Sequence, residues 1–127
     1  MKREILFRGF GLTSNEWVEG DLIHGVGIKS GSLYILPNKV NLAYVKNCDP
    51  LDGVQVHPDS VGQFTGLMDC NGAKIFEGDK LHRLLNVHFT VVFQNSKWIA
   101  IPKTDSDLYL DASQFKECEI TGNTFKP

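Results

Sequence analysis

Short runs of apolar and polar residues alternate along this chain and are interrupted every few positions by glycine, proline, asparagine or serine. No window of eleven residues shows the three-to-four apolar spacing of an amphipathic helix, so the pattern predicts strands joined by turns. Arg3 to Phe10 reads as a strand with Ile5 and Phe7 on one face. Thr13-Ser14-Asn15 is turn chemistry, because short polar side chains hydrogen-bond their own backbone there. Glu16 to His24 reads as a second strand, with Gly20 a bulge or a close approach of backbones. Val26 to Lys29 and Leu33 to Leu36 flank Ser30-Gly31-Ser32 as a hairpin, and Asn38 to Val45 is a further extended run. The stretch from Lys46 to Gly53 is the most loop-like and sets the expected boundary between residues 1–50 and 51–127.

The second half is better patterned. Val61 to Met68 and Lys74 to Phe76 straddle Asp69-Cys70-Asn71-Gly72, where aspartate first and glycine fourth suit a type I turn. Glu77-Gly78-Asp79 is a second tight turn, leading into a strand from Lys80 to Leu85. From Val87 to Gln94, Phe89, Val91 and Phe93 alternate with polar or smaller residues. An edge strand of that composition invites aggregation, so it belongs in the middle of a sheet. Asn95-Ser96 turns the chain into Lys97 to Ile101, which Pro102 ends by withholding a backbone donor. A polar loop from Thr104 to Ala112, a helical turn at Ser113 to Lys116 and a closing strand from Glu117 to Phe125 complete the chain. The expected fold is mainly β: an N-terminal β-meander lobe over 1–50, then a small closed or half-open barrel over 51–127. No internal repeat is visible in the sequence.

Composition narrows the function classes. With 42% apolar and 22% charged residues, 127 residues make an ordinary folded domain rather than a disordered chain. The net charge is -2 and both halves are balanced, so no basic arm advertises a strong grip on nucleic acid or membrane. The longest stretch free of Asp, Glu, Lys and Arg, Leu84 to Ser96, is too short and too polar to cross a bilayer. Met1-Lys2-Arg3-Glu4 lacks an apolar signal core, and Cys48, Cys70 and Cys118 are odd in number and widely spaced. Both observations point to reduced thiols in a cytoplasmic protein.

Candidate chemistry is sparse. Gly62, Gly66, Gly72 and Gly78 are a conceivable anion cradle, and Glu77 with Asp79 a conceivable general-base pair. A phosphate loop, however, wants clustered glycines before a helix with a Lys or Arg beside them, so turns and bulges explain these glycines better. The acidic run from Asp105 to Asp111 fails the calcium-loop template, which would put Tyr109, Leu110 and Lys116 at its fifth, sixth and twelfth places. Among His24, His57, His82 and His88, only His82 and His88 offer a metal arrangement, by meeting across neighbouring strands with Cys70 or Cys118 as third ligand. The spacing favours surface histidines instead. Trp17, Tyr34, Tyr44, Trp98 and Tyr109 are the aromatics available to stack bases, although Trp98 beside Ile99 reads as core. Lys80, Arg83 and Lys97 are a possible local basic patch. No nucleophile elbow, phosphate-binding lysine motif or dinucleotide fingerprint occurs.

The block Val61-Gly62-Gln63-Phe64-Thr65-Gly66-Leu67-Met68-Asp69-Cys70-Asn71-Gly72-Ala73-Lys74-Ile75-Phe76-Glu77-Gly78-Asp79 resembles the signature of the YopX family, small proteins encoded by bacteriophages and prophages. Arg3 to Gly9, Asn15 to Ile23 and Glu119 to Phe125 resemble the family's N-terminal and C-terminal patterns, in the right order. The resemblance implies an SH3-type barrel in the C-terminal part and brings no catalytic residue, cofactor or substrate with it. Many relatives carry Ala-Trp-Asp where this chain has Gly9-Phe10-Gly11, so the aromatic is kept as a core plug and an acid is missing. The expectation is therefore a non-catalytic, phage-derived interaction protein with an unidentified protein partner, able to form homo-oligomers, without catalytic, cofactor-binding or metal-binding residues. A weak nucleic-acid binder and a small hydrolase are the alternatives.

Overall fold

The computed structural model describes residues 4–25, 31–37, 53–83, 87–102 and 108–126, and strands dominate them. Among the described residues the strand pairings are antiparallel, and the mainly-β expectation holds. The chain divides into two units, Ile5–Gln63 and Phe64–Pro127, the latter together with Met1–Glu4. The division therefore falls inside a strand, between Gln63 and Phe64, and not in the 46–53 loop as expected. A run of alternating residues carries no mark where it stops pairing with one neighbour and starts pairing with another.

In the N-terminal unit, β1 (Phe7–Phe10), β2 (Trp17–His24), β3 (Leu33–Pro37) and β4 (Val54–Val56) form a meander. A 3-10 turn (Pro58–Ser60) then leads into β5 (Gly62–Met68), whose first residues return to β1 by pairing Gly62 with Arg8 and Gln63 with Phe7. A bridge from Gly11 to Val56 ties β4 to the segment after β1, helped by Leu12 N donating to Gln55 O and His57 N donating to Phe10 O. Ser60 fixes this corner: its hydroxyl accepts from Phe10 N at 2.7 Å and donates to His57 O.

Two expectations change here. The strand expected from Arg3 begins only at Phe7, and before it Leu6 is buried and Ile5 exposed. β3 pairs with the end of β2, His24 opposite Leu33, so residues 20–24 are the partner of 33–37. Residues 26–29 and 38–45, expected as strands, lie outside the described residues, as do Tyr44, Cys48 and most of the 46–53 loop. Gly20 is a close approach and not a bulge, since the β2–β3 register runs unbroken through it.

In the C-terminal unit, β6 (Lys74–Phe76) forms a hairpin with the end of β5. β7 (Asp79–His82), β8 (His88–Gln94), β9 (Lys97–Pro102), β10 (Leu110–Asp111) and β11 (Glu119–Asn123) form a sheet in the order β10-β9-β8-β7-β11. β8 lies in the middle, as its composition requires. Asn95 and Ser96, at φ 52° and 63°, make the turn into β9; two positive φ angles give the twist that a right-handed hairpin needs. A 3-10 helix (Ala112–Glu117) precedes β11, and Gln114 Oε1 accepts from Asp111 N at 3.0 Å at its start. The core joins Leu81, Val91, Ala100 and Leu110 from the sheet to Ile75, Phe115 and Cys118. Among the described residues β10 and β11 do not meet, so the expected barrel is here an open sheet covered by the β5–β6 hairpin and the 3-10 helix.

Both units follow one strand order. Four strands form a meander, a 3-10 turn follows, and the last strand pairs back onto the first: β1 to β4 and then β5 on β1; β7 to β10 and then β11 on β7. No sequence repeat announces this, because strand alternation leaves the identity of each apolar residue open.

Candidate functional site

The signature block folds around two carboxylates. Asp69 Oδ1 accepts from Asn71 N and Ala73 N, each at 2.8 Å, and Oδ2 accepts from Ile120 N at 3.2 Å. One buried side chain thus closes the 69–73 turn and fastens it to β11. Burial pulls its pKa up, but the hydrogen bonds from Ala73, Ile120 and Asn71 outweigh that and hold it below the usual carboxylate value. Asp79, buried on β7, accepts from Phe76 N at 2.8 Å across the 77–78 turn. It serves as a turn clamp, which argues against pairing it with Glu77 as a base.

The glycines of the block sit at corners. Gly66, Gly72 and Gly78 have φ of 86°, 80° and 90°, a region open to glycine at little cost. Gly66 lies in the β5 irregularity between Phe64 and Met68. The amides of Gly72 and Gly78 donate to Asp69 O and Val91 O, so they are not turned toward an anion. A Cβ on Gly72 would meet nothing within 4 Å, so only its φ matters. Gly72→Ala should therefore cost about 1 kcal/mol, readable as a lower urea midpoint.

The polar face of the C-terminal sheet holds a second constellation. Asp79 and Leu81 face inward on β7, which places Lys80 and His82 outward. Register sets Lys80 opposite Thr90, His82 opposite His88, and Glu119 on the other side of His82. The two imidazole rings lie 5.4 Å apart between centroids. In β11 the register shifts between Ile120 and Gly122, so Thr121 becomes the extra residue of a bulge. Its hydroxyl lies 3.4 Å from His88 Nδ1 and 3.4 Å from Lys80 O. Lys80, His88, Thr90 and Thr121 line an open cleft of about 270 Å³.

A family model described as YopX protein matches residues 6–126, nearly the whole chain. The chain belongs to the YopX family. No curated protein matches it. In this YopX chain, then, the family-like block supplies the buried turn clamps, and the cleft is built from residues beyond it on β7, β8 and β11.

His82 and His88, for which the sequence favoured separate surface positions, meet across β7 and β8. Cys118 does not join them: its thiol lies in the core against Gln114 O, and burial pushes its pKa up. Cys70 is exposed, and among the described residues no group of three His, Cys, Asp or Glu could hold a metal ion. His24 is exposed at the end of β2. His57 stacks on Phe10 at 6.2 Å. Phe10 is half-buried between His57 and Trp17 and does not plug the core. Tyr34 and Trp17 belong to the N-terminal unit, and the Arg8 guanidinium lies 4.8 Å from the Trp17 ring. Trp98 packs against the core as expected.

The basic patch does not assemble. Arg83 pairs with Glu117 at 2.7 Å, and Lys97 sits at the far end of β9 over Tyr109. Asp105 to Asp107 lie outside the described residues, and Asp111 stands at the start of the 3-10 helix. Sequence reasoning missed Thr90 and Thr121, whose place depends on a bulge and a register that no local pattern records. No helix among the described residues is long and apolar enough to cross a membrane.

Proposed function

We propose that this chain is a phage- or prophage-derived, non-catalytic interaction module of the bacterial cytoplasm, acting through the C-terminal unit. The observation that carries the reading is the exposure of Phe93 (53%) and Tyr109 (51%) in that unit. Phe93 lies edge-on to Trp98 at 4.9 Å, so its ring is held in place while half of it faces water. Fixed, exposed aromatics are the residues that dominate protein interfaces, since covering them removes apolar area at little entropic cost. The 3-10 helix before β11 and the return of β11 to β7 support the SH3-like kinship implied for this part.

Tagged protein recovered from prophage-bearing cells is expected to retain a protein partner or a second copy of itself. Phe93→Ser and Tyr109→Ser should weaken that association by about tenfold or more without altering the circular dichroism spectrum. Absence of any partner and of self-association, or turnover of a metabolite by the purified chain, overturns the reading. A weak nucleic-acid binder is the second reading, favoured by Lys97 Nζ lying 5.6 Å from the Tyr109 ring centroid, beside a surface on which a base can stack. A mobility shift at low salt that Tyr109→Ser abolishes would favour it.

A further inference from the structure

The cleft on the outer face of the C-terminal sheet contains a lysine, an imidazole and two hydroxyls, and among the described residues no carboxylate lines it. Among the described residues Lys80 has no carboxylate within ion-pair distance, whereas the nearby Arg83 is neutralised by Glu117. Strand pairing brings Lys80 and Thr90 side by side, and the bulge rolls Thr121 onto the same face. The Thr121 hydroxyl donates to Lys80 O, so at His88 its oxygen accepts from Nδ1–H and fixes the ring beside Lys80. An ammonium and the Thr90 hydroxyl then present donors to one space, with the imidazole beside them.

We propose that this cleft binds a phosphate group carried as a free ion or a small monoester, with Lys80 and Thr90 as donors and Thr121 as the residue that positions His88 beside them. Phosphate oxygens are strong acceptors and match a donor set of this kind, with Lys80 supplying the charge. A cation is disfavoured by the same ammonium. The cleft, at about 270 Å³, lies just under the range typical of drug-sized ligands, which suits a phosphoryl group with a small appendage. Glu119 flanks His82 on β11 and is absent from the lining. The site uses none of Phe93, Trp98 and Tyr109, so it stands or falls apart from the interaction surface.

The test is a nitrogen–proton correlation titration of the full chain with inorganic phosphate, with a nucleoside monophosphate, with a single-stranded oligonucleotide and with zinc chloride. Saturable shifts confined to residues around Lys80, His88, Thr90 and Thr121, with phosphate or with the monophosphate, support the site; the tighter of the two identifies the source. Lys80→Gln should weaken that binding by about tenfold or more, from loss of a charge-assisted hydrogen bond. Thr121→Val should weaken it less and broaden or shift the His88 ring signals, and Lys97→Gln should leave it unchanged. All three residues are surface-facing, and an unchanged spectrum elsewhere shows that each variant is folded. Shifts spread over the whole surface, equal binding by Lys80→Gln, binding of the oligonucleotide alone, or shifts at His82 and His88 with zinc alone would each overturn the proposal.

Discussion

Asp69→Ala should lower the stability of the C-terminal unit by about 3 kcal/mol, the scale expected when one buried carboxylate that accepts from three N–H groups is removed. Asn71, Ala73 and Ile120 all donate to this carboxylate, and the turn that holds the first two is tied to β11 through Ile120 and to the residue before it by Cys70 N donating to Cys118 O. Urea unfolding in a Trp17→Phe background, where Trp98 reports on this unit alone, measures the effect. A loss under about 1 kcal/mol would mean that water or a rearranged turn satisfies the freed amides. Asp69→Asn adds a test of charge. Its carboxamide presents N–H where Ile120 N needs an acceptor, and it cannot titrate. Because folding lowers the Asp69 pKa, the carboxylate's contribution is fully present above the ordinary carboxylate range and is lost as pH falls through the lowered folded value. The stability gap between wild type and Asp69→Asn should therefore be widest near neutrality and narrow in acid. A gap that widened in acid would contradict the hydrogen-bond geometry.

Gly20→Ala should destabilise the N-terminal unit by about 3 kcal/mol or more, at the upper end of what overpacking costs. A methyl group there overlaps the Leu36 carbonyl oxygen and comes within 2.7 Å of its carbon, in backbone that is itself paired with β2. Nothing flexible lies in the way to yield, so the β2–β3 pairing must open. Gly31→Ala is the control: a Cβ there meets nothing within 4 Å, and only its φ of 92° is unfavourable, at about 1 kcal/mol. Trp17 fluorescence in a Trp98→Phe background reads both variants. Equal losses would show that backbone conformation, and not crowding between β2 and β3, is what Gly20 provides.

The local chemistry of this chain was open to reading wherever a single turn decided it. Asp69 first and Gly72 fourth predict the turn that forms, with Gly72 N donating to Asp69 O at 3.1 Å, because both partners lie within four residues. The central place of β8 followed from its composition alone. The cleft was legible only in part. His82 and His88 were recognisable as a possible cross-strand pair, but their neighbours Thr90 and Thr121 come from β8 and a bulged β11, where identity gives no hint of position. The third ligand considered for the pair, Cys118, went to the opposite face, since a small apolar side chain gains more from the core than from the surface.

Sequence alone determined the class of the fold, the positions of the tight turns and the membership of a family whose signature spans the middle of the chain. These depend on alternation and on short-range backbone preferences, which act within a few residues. Only the tertiary structure decided that the division falls within β5, that both units share one strand order, and that a lysine, an imidazole and two hydroxyls converge on one cleft. Each of those depends on which strands pair and in what register, and a shift of one residue would reverse every face involved.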